Sequence, residues 1–139
     1  MNMRVSVVVP IFNEAKFMHV ALESLREQTV PFELIVVDNE STDESVSVAK
    51  LYTGNVLSSK RGKLNALQLG ILDATGEVVL TVDADVQLPS DYVARITDYF
   101  KDPDVVLVIG SMRNLGSYGF EDGGFTLKQA VGYDVLKYG

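Results

Sequence analysis

The sequence contains no cysteine and a single histidine, His19. Without cysteine, disulfide bonds and thiolate metal sites are excluded, so a bound metal ion must be held by oxygen ligands or by His19. His19 falls on the polar side of a predicted helix, near Glu23 and Arg26, as expected of an ordinary surface histidine. We therefore expect that any bound metal ion has Asp or Glu carboxylates as its protein ligands.

Basic residues and long apolar runs are also scarce. The 12 Lys and Arg residues against 19 Asp and Glu residues give a net charge of −7, whereas a nucleic-acid-binding protein normally has a basic face. The longest apolar runs, such as Val5–Ile11 and Val105–Ile109, are too short to cross a bilayer. The first ten residues lack the cleavage site of a signal peptide. We therefore expect no nucleic-acid partner, no transmembrane segment and a cytoplasmic location.

The composition that remains is that of a globular domain, with 139 residues, of which 47% are hydrophobic and 22% charged. Near-continuous apolar strands alternate with amphipathic helices, which predicts a single α/β domain whose mainly parallel sheet carries helices on both faces. Strands are predicted at 4–9, 33–37, 55–58, 77–82, 104–109 and 133–138, and helices at 14–28, from about 41, and at 62–74, 89–100 and 121–131, with 111–119 as a loop.

Two helix starts carry recognisable capping residues. Asn13 is the predicted N-cap of the first helix. Ser41 followed by Glu44 has the spacing of a capping box for the second helix.

The sequence Asp83-Ala84-Asp85 is the sharpest candidate for a site. In open α/β sheets, ligands bind at the carboxyl ends of the strands, and these two carboxylates follow the apolar segment 78–82. Mg²⁺ is typically held by one or two carboxylates together with substrate phosphates. The second D-x-D of the chain, Asp102-Pro103-Asp104, precedes a strand and is interpreted as a plain turn. Of the two D-x-D motifs, the sequence therefore predicts a metal ion only at Asp83-Ala84-Asp85.

Other polar groups follow the remaining predicted strands. Lys60, Arg61 and Lys63 surround Gly62 at a helix start, where basic side chains and free N–H groups suit a phosphate, although a solvated charged loop has the same composition. Asp38 follows an apolar strand, where a carboxylate can accept hydrogen bonds from a base or a ribose, or can serve a turn. These groups are expected at one edge of the sheet.

Four segments in order resemble the inverting glycosyltransferases of family 2, which have the GT-A (nucleotide-diphospho-sugar transferase) fold. The segments are Val5–Glu14 (VSVVVPIFNE), Leu34–Asp43 (LIVVDNESTD), Gly62–Gly76 (GKLNALQLGILDATG) and Val78–Asp85 (VVLTVDAD). The resemblance implies that a nucleotide sugar is the donor and that Mg²⁺ or Mn²⁺ is the cofactor. The implied nucleotide-sugar-binding residues are Pro10, Phe12, Glu14, Asp38, Lys63 and Asp83, and the implied metal ligands are Asp83 and Asp85.

Residues 83–89 (DADVQLP) also resemble the D-A-D-x-Q-x-P motif of polyprenyl-phosphate sugar synthases. This resemblance implies that Gln87 reaches the metal. Residues 109–113 (IGSMR) are similar to the I-G-S-R of the same subgroup, with one residue inserted, which implies a donor contact for Arg113.

The catalytic base is implied by an E-D pair that opens a helix and precedes a Gly-aromatic strand in many family members. Glu121-Asp122 and Gly132-Tyr133 resemble this pattern, with Lys128 where an arginine is more usual. Asp122 is then the base that takes the acceptor's proton. Acids at 121 and 122 also suit a helix N-terminus for electrostatic reasons alone, and a polyprenyl-phosphate acceptor would need no strong base.

The expected function is a metal-dependent, inverting transfer of a sugar from a nucleotide-diphosphate sugar, with residues 1–100 as the donor part and 101–139 as a short acceptor part. A nucleotidyltransferase would open with a Gly-rich basic loop where this chain has residues 10–14 (PIFNE). A phosphoacceptor receiver domain would need acids directly after the first strand, where Pro10-Ile11 offers none. A non-catalytic nucleotide-sugar-binding module stays open. The sequence leaves the acceptor open between a sugar, a lipid phosphate and a protein, and it leaves open a homo-oligomer.

Overall fold

The structure is a computed structural model that describes residues 3–118 and 125–137, with side chains described over residues 3–108. The elements in chain order are β1 (Val5–Ile11), α1 (Met18–Arg26), β2 (Glu33–Asp38), α2 (Ser45–Ala49), β3 (Val56–Ser58), α3 (Lys63–Asp73), β4 (Val78–Thr81), β5 (Val86–Gln87), α4 (Tyr92–Tyr99), β6 (Val105–Tyr118) and β7 (Phe125–Lys137).

The main sheet has four parallel strands in the order β3-β2-β1-β4. Successive side chains of β1 point to opposite faces, so Val7 and Val9 pack in a core cluster with Leu22 of α1, whereas Val8 packs with Ala66 of α3 on the other face. The prediction of a mainly parallel α/β sheet with helices on both faces is confirmed. Because β1 lies between β2 and β4, the loops that follow these three strands are neighbours.

The region after α4 differs from the predictions. The predicted loop 111–119 continues β6 as far as Tyr118, and residues 125–131 of the predicted helix 121–131 lie in β7, which pairs antiparallel with β6. Residues 119–124 lie outside the described part of the chain. The two-residue strand β5, also missed, pairs with β7 through Val86↔Lys128 and Gln87↔Gln129. The pairing of β7 with β5 and β6 makes this region a sheet. It overrides the local helix preference of a stretch such as 127–130 (LKQA).

Both predicted capping arrangements were wrong. Helix α1 begins at Met18, and Asn13 has a φ of 49° before it. The Oδ1 atom of Asn13 accepts hydrogen bonds from the backbone N–H groups of Thr42 (2.7 Å) and Asp43 (3.3 Å). In return, Ser41 Oγ accepts a hydrogen bond from Asn13 N–H (2.9 Å). Because β1 and β2 are adjacent, these polar groups bond across the two loops instead of capping their own helices.

Helix α3 lies within the predicted bounds of 62–74 and explains the glycines of its motif. Ala66 and Gly70 are its buried residues, and a side chain at Gly70 would collide with Val8 of β1. Gly62 precedes the helix with a φ of +120°, a conformation that other residues rarely adopt. Small residues therefore allow α3 to approach the sheet closely and to begin at Lys63, next to the carboxyl ends of the strands.

Candidate functional site

A cleft of about 480 Å³ opens at the carboxyl ends of the central strands. Its lining combines aromatic, carboxylate and basic side chains from the loops after β1, β2 and β4 and from the start of α3. The lining residues are Pro10, Ile11, Phe12, Asn13, Glu14, Phe17, Asn39, Lys63, Asp83, Ala84 and Asp85.

Most of the candidate residues from the sequence meet in this cleft, two of the described ones do not line it, and two lie outside the described side chains. Pro10, Phe12, Glu14, Lys63, Asp83 and Asp85 all lie on its wall. Asp38 lies buried behind it, and its neighbour Asn39 takes the lining position. Gln87 lies in β5, opposite Gln129, and is not on the wall. The side chain of Arg113 and the whole of Asp122 fall outside what the structure describes.

Asn39 on the cleft wall and Asp38 behind it present buried oxygen atoms, with 8% and 7% of the residues exposed. One carboxylate oxygen of Asp38 accepts a hydrogen bond from Ser41 N–H at 3.3 Å. The other, together with Asn39 Oδ1, has no hydrogen-bond partner among the described residues. A buried acceptor without a donor costs about 1–3 kcal/mol, so this pair favours a ligand that donates hydrogen bonds. Sequence reasoning chose Asp38 alone, although Asn39 follows the same apolar strand.

Lys63 and Asp83 form an ion pair across the cleft. The Nζ atom of Lys63 lies 2.7 Å from Asp83 Oδ1, with 59% and 36% of the two side chains exposed. Next to it, the guanidinium of Arg61 stacks over the ring of Phe12 at 4.2 Å from the ring centre. Two members of the basic cluster predicted from the sequence therefore have partners, since Lys63 pairs with Asp83 and Arg61 stacks on Phe12. The sequence did not predict this stacking.

Glu14 is a half-buried carboxyl group that faces other acids. Burial raises its pKa from the ordinary 4.5 to about 7, against the lowering effect of the hydrogen bond from Phe12 N–H. The negative charges of Asp85 and Asp83 raise the pKa further, and Lys63 lowers it. Three carboxyl groups therefore converge in the cleft, close enough to influence one another.

We expect Glu14→Gln to stabilise the metal-free protein at pH 8 relative to the wild type, and to have a smaller effect at pH 4. The folded pKa of about 7 exceeds the ordinary 4.5, so the folded protein retains a proton that the unfolded chain loses between these values. The stability that this proton provides is present below pH 4.5 and is lost as the pH rises through 7. The difference between pH 4 and pH 8 should be about 1–2 kcal/mol, after discounting for solvent access.

Urea unfolding of both proteins in EDTA at the two pH values measures this difference. The same substitution at the exposed Glu27, at the end of α1, is the matched control for the loss of one charge. A pH-dependent gain as large in Glu27→Gln as in Glu14→Gln would contradict the prediction.

The carboxylates of the cleft fit a divalent cation that is shared with a ligand. No group of three or more acidic or histidine side chains is preassembled around a metal position within the described residues. Asp83 and Asp85 nevertheless supply the one or two carboxylates with which Mg²⁺ is usually held when phosphate oxygens complete its shell. The other D-x-D forms a turn as predicted, because Asp102 Oδ1 accepts a hydrogen bond from Asp104 N–H (3.0 Å) just before β6.

The chain is similar in sequence to one protein family and to curated proteins. Residues 6–127 match the family model described as glycosyl transferase family 2. An undecaprenyl-phosphate 4-deoxy-4-formamido-L-arabinose transferase from Pectobacterium carotovorum is 33% identical over 107 residues, which are 68% of this chain and 33% of that protein. The chain thus spans about a third of the length of this curated relative.

Two solved structures share the fold. The mannosyltransferase PcManGT from Pyrobaculum calidifontis, in complex with GDP-Man and Mn²⁺, has a TM-score of 0.68 at 32% identity, over 76% of this chain and 34% of that one. S. aureus TarS 1–349, in complex with UDP, has a TM-score of 0.63 at 29% identity, over 76% of this chain and 35% of that one. Within residues 3–118 and 125–137, no helix has the length and apolarity that a membrane span requires.

Proposed function

Because this chain belongs to glycosyl transferase family 2, we propose that it binds a nucleoside-diphosphate sugar and takes part in its metal-dependent, inverting transfer to an acceptor. The observation that carries the proposal is the meeting of Asp83, Asp85 and Lys63 with Phe12 and Asn39 in one cleft. That cleft joins groups suited to a cation, a diphosphate and a nucleoside. The Mn²⁺ and GDP-Man of PcManGT and the UDP of TarS support this assignment.

The nucleoside end of the donor is assigned to the side of the cleft formed by the loops after β1 and β2. The unpaired oxygens of Asp38 and Asn39 can accept hydrogen bonds from a base or a ribose. Phe12 and Pro10 give this side an apolar wall. Glu14 lines the same cleft, where the negative charges of Asp85 and Asp83 raise its pKa.

The diphosphate end is assigned to Asp83, Asp85 and Lys63. The two carboxylates would hold Mg²⁺ or Mn²⁺, and Lys63 would bind a phosphate oxygen. When bound, the cation supplies Lewis-acid stabilisation of the leaving diphosphate. We also propose donor or metal contacts for Arg113 and Gln87, as their motifs imply.

Transfer with inversion requires the acceptor hydroxyl to attack the anomeric carbon from the side opposite the diphosphate. The new C–O bond forms as the bond to the phosphate oxygen breaks, and the hydroxyl proton passes to a carboxylate. We propose Asp122 as that carboxylate, with residues 1–100 as the donor part and 101–139 on the acceptor side. β7 contains residues 125–131 of the helix that the E-D pattern predicts. Asp122 lies outside the described residues, and its proposed role comes from the sequence motif.

A thermal-shift panel of UDP-, GDP- and TDP-sugars, with Mn²⁺ or with EDTA, tests the proposal. A ligand at a hundredfold excess over its Kd stabilises the folded state by about 2.7 kcal/mol. We expect at least one nucleotide class to raise the Tm with Mn²⁺ and to lose most of that effect in EDTA. A panel in which no donor raises the Tm would contradict donor binding, and donor binding without transfer or hydrolysis would favour a non-catalytic module.

A further inference from the structure

The ammonium group of Lys63 lies against a carboxylate that the proposed function assigns to the metal ion. Its Nζ atom lies 2.7 Å from Asp83 Oδ1, one of the carboxylate oxygens assigned above to the metal. The cleft also contains Glu14 and Asp85, so three carboxyl groups meet there. Arg61, two residues before Lys63, is stacked over Phe12. Lys63 is therefore the positive charge that is paired directly with Asp83.

An ammonium group and a divalent cation cannot share one carboxylate oxygen without strong mutual repulsion, because two positive charges would then lie within a few ångströms of each other. Lys63 must leave Asp83, or move from Oδ1, before a metal ion binds there closely. The pair is suited to such a departure. Lys63 has a flexible side chain that is 59% exposed, and ion pairs with this much solvent access contribute little to stability.

Building on the proposed function, we propose that Lys63 is a displaceable counter-ion. It neutralises Asp83 while the cleft is without donor, and it transfers to the donor's diphosphate when Asp83 takes up the metal ion. The diphosphate thus removes a competitor of the metal as well as supplying metal ligands. Metal and donor binding are coupled through Lys63, and by linkage each ligand strengthens the other by the same factor.

The test is Lys63→Met, with Mn²⁺ titrated alone and then with UDP and GDP, by calorimetry and by the EPR signal of free Mn²⁺. Loss of the competitor should make Mn²⁺ alone bind about two- to fivefold tighter, which is the value of an exposed ion pair expressed as an affinity ratio. Loss of the phosphate contact should weaken UDP or GDP binding at saturating Mn²⁺ by about tenfold or more. The two effects have opposite signs, which a merely structural role of Lys63 would not produce.

Lys101→Met is the matched control, because Lys101 Nζ also lies 2.7 Å from a carboxylate oxygen, Asp98 Oδ1, and does not line the cleft. It changes the net charge equally and should leave both affinities unchanged. In an Asp83→Asn background, Lys63→Met should no longer tighten Mn²⁺ binding. A gain that persists in that background would overturn the proposal by showing a general charge effect.

Mn²⁺ binding that is equal or weaker in Lys63→Met than in Lys101→Met would overturn the counter-ion role, even if the wild type binds UDP or GDP with Mn²⁺ and the proposed function stands. The counter-ion role is also overturned if neither the wild type nor either variant binds Mn²⁺ without nucleotide. If the wild type binds neither Mn²⁺ nor any nucleotide, the proposed function fails together with this inference. Tighter Mn²⁺ binding together with weaker nucleotide binding in Lys63→Met supports it.

Discussion

Asp85→Ala is expected to abolish the Mn²⁺-dependent part of donor binding and to lower the rate of sugar transfer by roughly 10²–10³-fold, the usual effect of losing one strong electrostatic stabiliser. Asp85 lies on the cleft wall with Asp83, and its charge is close enough to raise the pKa of Glu14. With Asp85 removed, Asp83 is left as the single carboxylate of the motif. A cation held by one carboxylate that also faces Lys63 should bind much more weakly.

The measurement is a pair of thermal-shift titrations, with Mn²⁺ and with EDTA, followed by a transfer assay with the donor that gives the largest shift. Far-UV circular dichroism should confirm that the variant is folded. The donor's metal-independent shift should survive, because Phe12 and Asn39 are untouched.

The chain supplies its own control for this experiment in its second D-x-D. Asp104→Ala makes the same substitution in an exposed turn before β6, where Asp104 contributes its N–H to Asp102. It should leave the metal-dependent shift and the transfer rate unchanged. A full metal-dependent shift in Asp85→Ala, or an equal loss in Asp104→Ala, would remove the basis for placing the metal at Asp83 and Asp85.

Gly76→Ala is expected to lower the free energy of unfolding by about 2–4 kcal/mol, a large fraction of the 5–15 kcal/mol that is typical of a domain. Gly76 lies between α3 and β4, and a Cβ atom there would be 2.6 Å from the backbone nitrogen of Ser6 and 2.8 Å from the carbonyl carbon of Val5. Backbone atoms of a central buried strand cannot move aside as a flexible side chain can. Either β1 shifts or the segment 75–77 is displaced.

A local hydrogen-bond network adds to this cost. Gly76 N–H donates to Ser6 Oγ at 2.8 Å, and the Ser6 hydroxyl donates to Glu33 Oε2 at 2.5 Å. Thr75 N–H donates to the same carboxylate oxygen at 3.0 Å. Displacement of Gly76 would separate these groups, and the fully buried Ser6 would lose a partner.

Urea denaturation of Gly76→Ala and of Gly54→Ala tests this prediction. A Cβ at Gly54 would have no atom within 4 Å, so that variant should keep the wild-type stability or gain up to about 1 kcal/mol from the stiffer unfolded chain. Equal midpoints for the two variants would show that the close approach of Gly76 to β1 does not constrain the fold.

Local patterns in the sequence were enough to place the elements that build the cleft. Apolar runs predicted β1, β2 and β4, and the helical pattern predicted α3 within one residue at each end. The same patterns distinguished the two D-x-D motifs, because one follows an apolar strand and the other precedes one. Burial and periodicity are local properties, so they can be inferred without knowing the packing.

Contacts between distant segments were decided only by the tertiary structure. The sequence did not show that Asn13 would bond to the loop at 42–43, that Lys63 would pair with Asp83, or that β7 would take the place of a predicted helix. Each of these depends on which strands become neighbours, and the energy of such pairing exceeds a local capping or helix preference. The sequence alone thus determined most of the residues that gather at one edge of the sheet, and the three-dimensional packing determined which of them contact one another.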